Sequence, residues 1–112
     1  MAVSHVATDS ADGSSTSPSV TLSNITPASN NLLVAFLGHQ DAATISGVTS
    51  GWTALQSSES NTVGNHGGGV WWKISDGSET AFGCTISGAN KQWSLVVFEF
   101  TGNATSSSIG DL

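Results

Sequence analysis

Basic side chains are nearly missing. The 112 residues contain two lysines, Lys73 and Lys91, and no arginine, against eight acidic residues and a net charge of −6. Such a surface cannot neutralise a row of phosphates, the electrostatic term that supplies most non-specific nucleic-acid affinity. Nucleic acid and anionic membrane surfaces are therefore excluded as partners, and the charge chiefly keeps copies of the chain apart. Cysteine occurs once, as Cys84, which rules out an internal disulfide, a Cys-rich scaffold and a Cys-based zinc site. No apolar run approaches the roughly 18 residues of a membrane-spanning helix. The N-terminal MAVSHVATDSADGSS carries no basic region followed by an apolar one, so no signal peptide is expected. Tyrosine is absent, which weighs against a sugar platform, because Tyr commonly shares that work with Trp.

Helical periodicity is missing too. Apolar residues alternate or come in short runs, and Gly or Ser interrupts every window long enough for a helix. Strands are expected at 3–8, 19–26, 32–38, 44–48, 52–58, 69–75, 80–87 and 92–101, with turn clusters between them. About eight strands at this spacing predict an all-β, antiparallel β-sandwich of jelly-roll type. The segments 32–37 and 93–100 are apolar on both parities and should lie centrally. Phe82, Cys84 and Ile86 should share one buried face, as should Val20 and Leu22. Residues 1–18 are read as a flexible N-terminal strand or arm, with 9–18 too polar to pack, 19–102 as the domain, and 103–112 as a linker or arm.

Candidate chemistry is thin. His5, His39, His66 and Asp41 sit at no recognised metal spacing, and structural roles are expected for them. No Gly-x-Ser-x-Gly elbow is present, so Ser46 and Ser50 read as turn residues. Neither a catalytic residue, nor a metal site, nor a cofactor is expected. Gly67-Gly68-Gly69 leads into a strand rather than a helix, which points to chain bending or close backbone approach and not to a phosphate cradle. Asp76-Gly77-Ser78-Glu79 could coordinate calcium, but an Asp-Gly turn accounts for the same residues. Glu99, on a central strand, needs a partner if buried; Lys73 or Lys91 could supply one, or Glu99 could face solvent or a neighbouring subunit.

The tryptophans are the remaining signal. Strand parity sends Trp71 and Trp72 to opposite faces. Trp72, between Val70 and Ile74, is expected in the core; Trp71, between Gly69 and Lys73, is expected at a surface or interface. Aromatic side chains among Asn, Ser and Thr serve both sugar-binding modules and protein interfaces.

Four segments, NLLVAFLG (31–38), GWTAL (51–55), VWWKISDGSE (70–79) and WSLVVFEFTG (93–102), together resemble a β-sandwich module of bacteriophage virion proteins and bacterial surface proteins. The resemblance covers roughly residues 18–102 and its motifs are structural. It implies a non-enzymatic virion protein, a capsid decoration or cement protein that binds the major capsid protein and neighbouring copies of itself on the capsid exterior. Trp71, Lys73, Asn65, His66, Gly67 and Trp52 are the expected contact residues, in and around a glycine-rich loop at 61–69. The alternative is a tail-fibre or secreted extracellular module that binds carbohydrate or a receptor through an exposed Trp71 or Trp52.

Overall fold

The computed structural model describes residues 2–61 and 66–102, with the backbone alone for 56–61. Among them are nine strands: β1 (Ser4–Ser15), β2 (Ser19–Thr21), β3 (Leu32–Gln40), β4 (Ile45–Ser46), β5 (Thr53–Asn61), β6 (His66–Ile74), β7 (Ala81–Gly83), β8 (Thr85–Ile86) and β9 (Lys91–Thr101). All pairings are antiparallel. One layer is a five-stranded sheet in the order β1-β9-β3-β6-β5. In the other, β7 and β8 follow one another through Cys84 and pair with β2 and β4 respectively. Strands β1, β9, β3 and β6 facing β2, β7/β8 and β4 follow the strand order of a jelly roll, from which β5 departs by pairing with β6 at the edge of the large sheet.

The central strands are the two expected. Both faces of β3 and β9 are apolar, so each is flanked on both sides within the sheet. From the inner face, Leu33, Ala35, Leu37, Leu95, Val97 and Trp71 meet Val20, Ile25, Phe82, Cys84 and Ile86 of the second layer. The predicted shared face of Phe82, Cys84 and Ile86 is thus buried as a unit.

Two expectations change. The supposed flexible stretch after Thr8 is strand as far as Ser15, in register with β9 from Ser4↔Thr101 to Ser15↔Lys91. Its inward positions are small: Ala7, Ala11 and Gly13, with Asp9 among them. Trp93 occupies the space over Gly13, where an added Cβ would lie 2.9 Å from the indole. A polar composition concealed a strand that contributes backbone pairing and room, not bulk. The glycine-rich segment before Val70 is likewise strand, not loop. Gly68 pairs with Gly38, and a side chain on Gly68 would collide with the Leu37 carbonyl oxygen. The close backbone approach foreseen for this run therefore occurs at Gly68.

Polar groups pin the connections to the large sheet. The Asp9 carboxylate accepts the backbone N–H groups of Asn24 (3.0 Å) and Ile25 (2.8 Å) and the Ser23 hydroxyl (3.1 Å). Burial would raise its pKa, but these bonds outweigh that and hold the carboxyl below its ordinary value. At the far edge of the inner face, Glu99 Oε2 accepts the Ala28 N–H and the Asn31 side-chain amide, both at 3.0 Å.

Candidate functional site

Register decides what the outer face of the five-stranded sheet presents. Residues opposite one another across neighbouring strands share a face. Leu32 aligns with Ile74 and Phe100, Val34 with Trp72 and Phe98, and Phe36 with Val70 and Val96. The result is a three-by-three grid of apolar side chains, three aliphatic or aromatic residues from each of β3, β6 and β9. Phe36 and Phe98 meet edge to face at 5.8 Å, and His5 of β1 stands edge-on to Phe98 and Phe100 at 6.0 and 5.9 Å. The rings shield Leu32 and Val34, while Phe36 is 45% exposed. Every described strand of the second layer packs on the opposite, inner face, so no described strand covers this grid.

This arrangement inverts the expected roles of the two tryptophans. Trp71 is 2% exposed and lies 5.4 Å from Phe82 across the core, whereas Trp72 is half-buried on the outer grid. The parity argument was sound, but the choice of inner face was not. Trp71 lies between Ala35 and Ala54 in register, and those small neighbours leave an indole-sized space between the layers. Lys73 is also on the inner face and is half-buried. Its ammonium lies 2.9 Å from Glu79 at the sheet end, so its stem lines the core edge while its head is neutralised.

The other predicted site residues scatter. Trp52 is half-buried against Phe82, with ring centroids 4.6 Å apart. Gly67 is half-buried and His66 exposed at the start of β6; Asn65 lies outside the described residues. His39 is 5% exposed on the inner face, with Nδ1 within 3.2 Å of the Gln40 and Asp41 backbone carbonyls. Its neighbour in sequence, Gln40, is the residue that pairs with His66, so His39 and His66 project to opposite faces and cannot converge with the Asp41 carboxylate. His39 Nε2 is buried without a hydrogen-bond partner among the described residues.

The carboxylates of the 76–79 segment are used by the protein itself. Glu79 accepts from the Ser75 hydroxyl at 2.6 Å and the Asp76 N–H at 3.1 Å, besides Lys73. Burial opposes ionisation of Glu79, yet Ser75 and Lys73 hold its pKa below the usual range. Gly77 takes the positive φ of 87° that the corner requires. The segment is a turn joining the two layers. Glu99 is paired with neither lysine: Lys73 is on Glu79, and the Lys91 ammonium donates to the Ala89 carbonyl. A backbone N–H and an amide satisfy the acid instead, so it serves the 26–31 connection and not a neighbouring subunit.

The fold and the grid together define the class: a small jelly-roll β-sandwich with an apolar face on the side away from its core. No family model, curated protein or solved structure matches the chain.

The grid was visible in the sequence only in pieces. Leu32/Val34/Phe36, Val70/Trp72/Ile74 and Val96/Phe98/Phe100 each alternate at period two, but only the order β9-β3-β6 merges them.

Proposed function

We propose that this chain is a non-enzymatic structural module of a particle surface, a decoration or cement protein docked on the major capsid protein at the capsid exterior. The observation that carries the reading is the apolar grid on the outer face. Strands lie about 4.8 Å apart and same-face residues about 6.8 Å apart, so three strands and three rows cover roughly 300 Å². That footprint is at the lower end of the largest apolar patch on a typical monomer, which is often functional, and would form part of the roughly 800 Å² per partner of a standard interface. The sequence resemblance to virion β-sandwich modules supplies the setting. Docking would proceed by burial of the grid against an apolar patch of the shell protein, with neighbouring copies side by side. No observation favours the alternative through Trp71 or Trp52, since both face the core.

The test is binding of purified chain to shells stripped of it, wild type against Phe98→Ser, with melting curves confirming that the variant folds. Saturable loading that Phe98→Ser reduces at least about tenfold, some 1.4 kcal/mol, is expected. Equal loading by both, or none by either, overturns the reading.

A further inference from the structure

The outer face changes character along its strands. Beyond Phe36 and Val96 the next row is Gly38, paired with Ser94, which is paired in turn with Asp12; Gln40 and Gln92 lie past it. Here the face sinks into a shallow, open trough of about 710 Å³ bordered by Asp12, Gly38, Gln40, Gln92 and Ser94. It shares Asp12, Gly38 and Ser94 with a second depression of about 490 Å³ that reaches Phe36.

Three observations identify the chemistry that fits. The lining offers two carboxamides, two hydroxyls (Ser14 and Ser94) and one carboxylate, and no cation, so it suits neither a phosphate nor a sulfate. The side chains of Asp12, Gln40, Gln92 and Ser94 are all exposed and, among the described residues, make no hydrogen bond or ion pair, so their polar groups are open to a ligand. Carboxamides and hydroxyls both donate and accept, which matches a ligand whose own groups do both. At the trough's end the half-exposed ring of Phe36 offers an apolar face for C–H groups. Finally, the depression exists because residue 38 is glycine, and folding does not demand that glycine. An added Cβ there would meet nothing within 4 Å, and the backbone is not in the left-handed region.

We propose that this trough binds a neutral oligosaccharide, with hydroxyls on Asp12, Gln40, Gln92 and Ser94 and one sugar face on Phe36. The site adjoins the grid and shares Phe36 with it, while Trp72 and Phe98 lie outside it, so the sugar and a docked shell would compete for Phe36 and the sugar binds the undocked chain. It also differs from a tryptophan platform: the polar row does the recognition, and one phenylalanine supplies the stack.

The experiment is isothermal titration of the full chain with neutral hexasaccharides of glucose, mannose, galactose and N-acetylglucosamine, alongside sialylated and sulfated oligosaccharides. The variants are Gly38→Val, which fills the floor with a strand-favouring side chain, and Gln92→Ala. Saturable binding of at least one neutral hexasaccharide is expected, weakened about tenfold or more by each variant while the melting temperature is unchanged by Gln92→Ala. Amide chemical shifts of Gly38 and Ser94 should move on titration. No neutral binding at millimolar ligand, binding confined to charged sugars, or binding that both variants leave intact overturns the proposal. Should Gly38→Val fail to fold, Gln92→Ala and the chemical-shift map decide alone.

Discussion

Asp9→Asn isolates one carboxylate that ties two parts of the fold together. Asp9 reaches from β1 to the 23–25 segment, where it accepts the Ile25 amide at 2.8 Å, the Asn24 amide at 3.0 Å and the Ser23 hydroxyl at 3.1 Å. Hydrogen bonds to a charged acceptor contribute about 1.5–3 kcal/mol each when buried. Ser23 and Asn24 are exposed and can recruit water, whereas Ile25 is 2% exposed, so one bond counts in full and the others in part. Asparagine keeps one acceptor but turns an N–H₂ toward donors. A loss of about 2 kcal/mol at pH 7 follows. With a urea m-value of about 1.3 kcal/mol/M, the midpoint should fall by roughly 1.5 M.

The pH dependence gives the sharper test. The folded-state pKa of Asp9 lies below its unfolded value of about 3.9, so its stabilisation is fully present above that value. It is lost as pH falls through the lowered folded pKa. Asn does not titrate, and the gap between wild type and variant should therefore close at acid pH. Urea unfolding followed by Trp fluorescence from pH 7 to about 2.5, at fixed ionic strength, reads this directly. A gap under about 0.5 kcal/mol at pH 7, or one that stays constant to the acid limit, would refute the reasoning.

Phe82→Ala should cost about 3–5 kcal/mol, because Phe82 is fully buried between Trp71 and Trp52; calorimetry should show Tm lowered by roughly 12–20 °C. Phe36→Ala, at a position 45% exposed, should cost under about 1 kcal/mol by the same assay. A thiol-reactive dye should leave Cys84 unmodified at pH 8 in the native protein and label it on unfolding, since burial pushes its pKa up to about 11; fast native labelling would contradict its place in the core. Glu99→Ala frees the Ala28 N–H and Asn31 amide, so hydrogen exchange at Ala28 should quicken, with about 1–3 kcal/mol of stability lost.

The layered β architecture and its two central strands were legible because apolar content on both parities forces a strand into a sheet interior. β1 was not. Its inward Ala7, Asp9, Ala11 and Gly13 contribute no hydrophobic signal, and what holds it is pairing with β9 plus a carboxylate whose partners lie 14 to 16 residues away. The Trp71/Trp72 assignment failed for a related reason. Aliphatic neighbours along one strand reveal a face but not its side of the sheet, and the small residues that make room for Trp71 sit on β3 and β5. Glu99 was expected either to pair with a lysine or to face solvent or a neighbouring subunit, and it accepts instead a backbone N–H from a connection 71 residues distant. The apolar grid needed knowledge of which three strands are neighbours. The polar trough needed the pairing of β3 with β9 and of β9 with β1, which brings Gly38, Ser94 and Asp12 into one row.

The claim that the outer apolar face docks this chain on a particle is tested most directly by counting copies. Quantitative mass spectrometry of purified native particles gives the ratio of this chain to the major shell protein. Decoration predicts a fixed stoichiometric ratio, hundreds of copies on a shell of hundreds of subunits. A handful of copies per particle, or none, contradicts it.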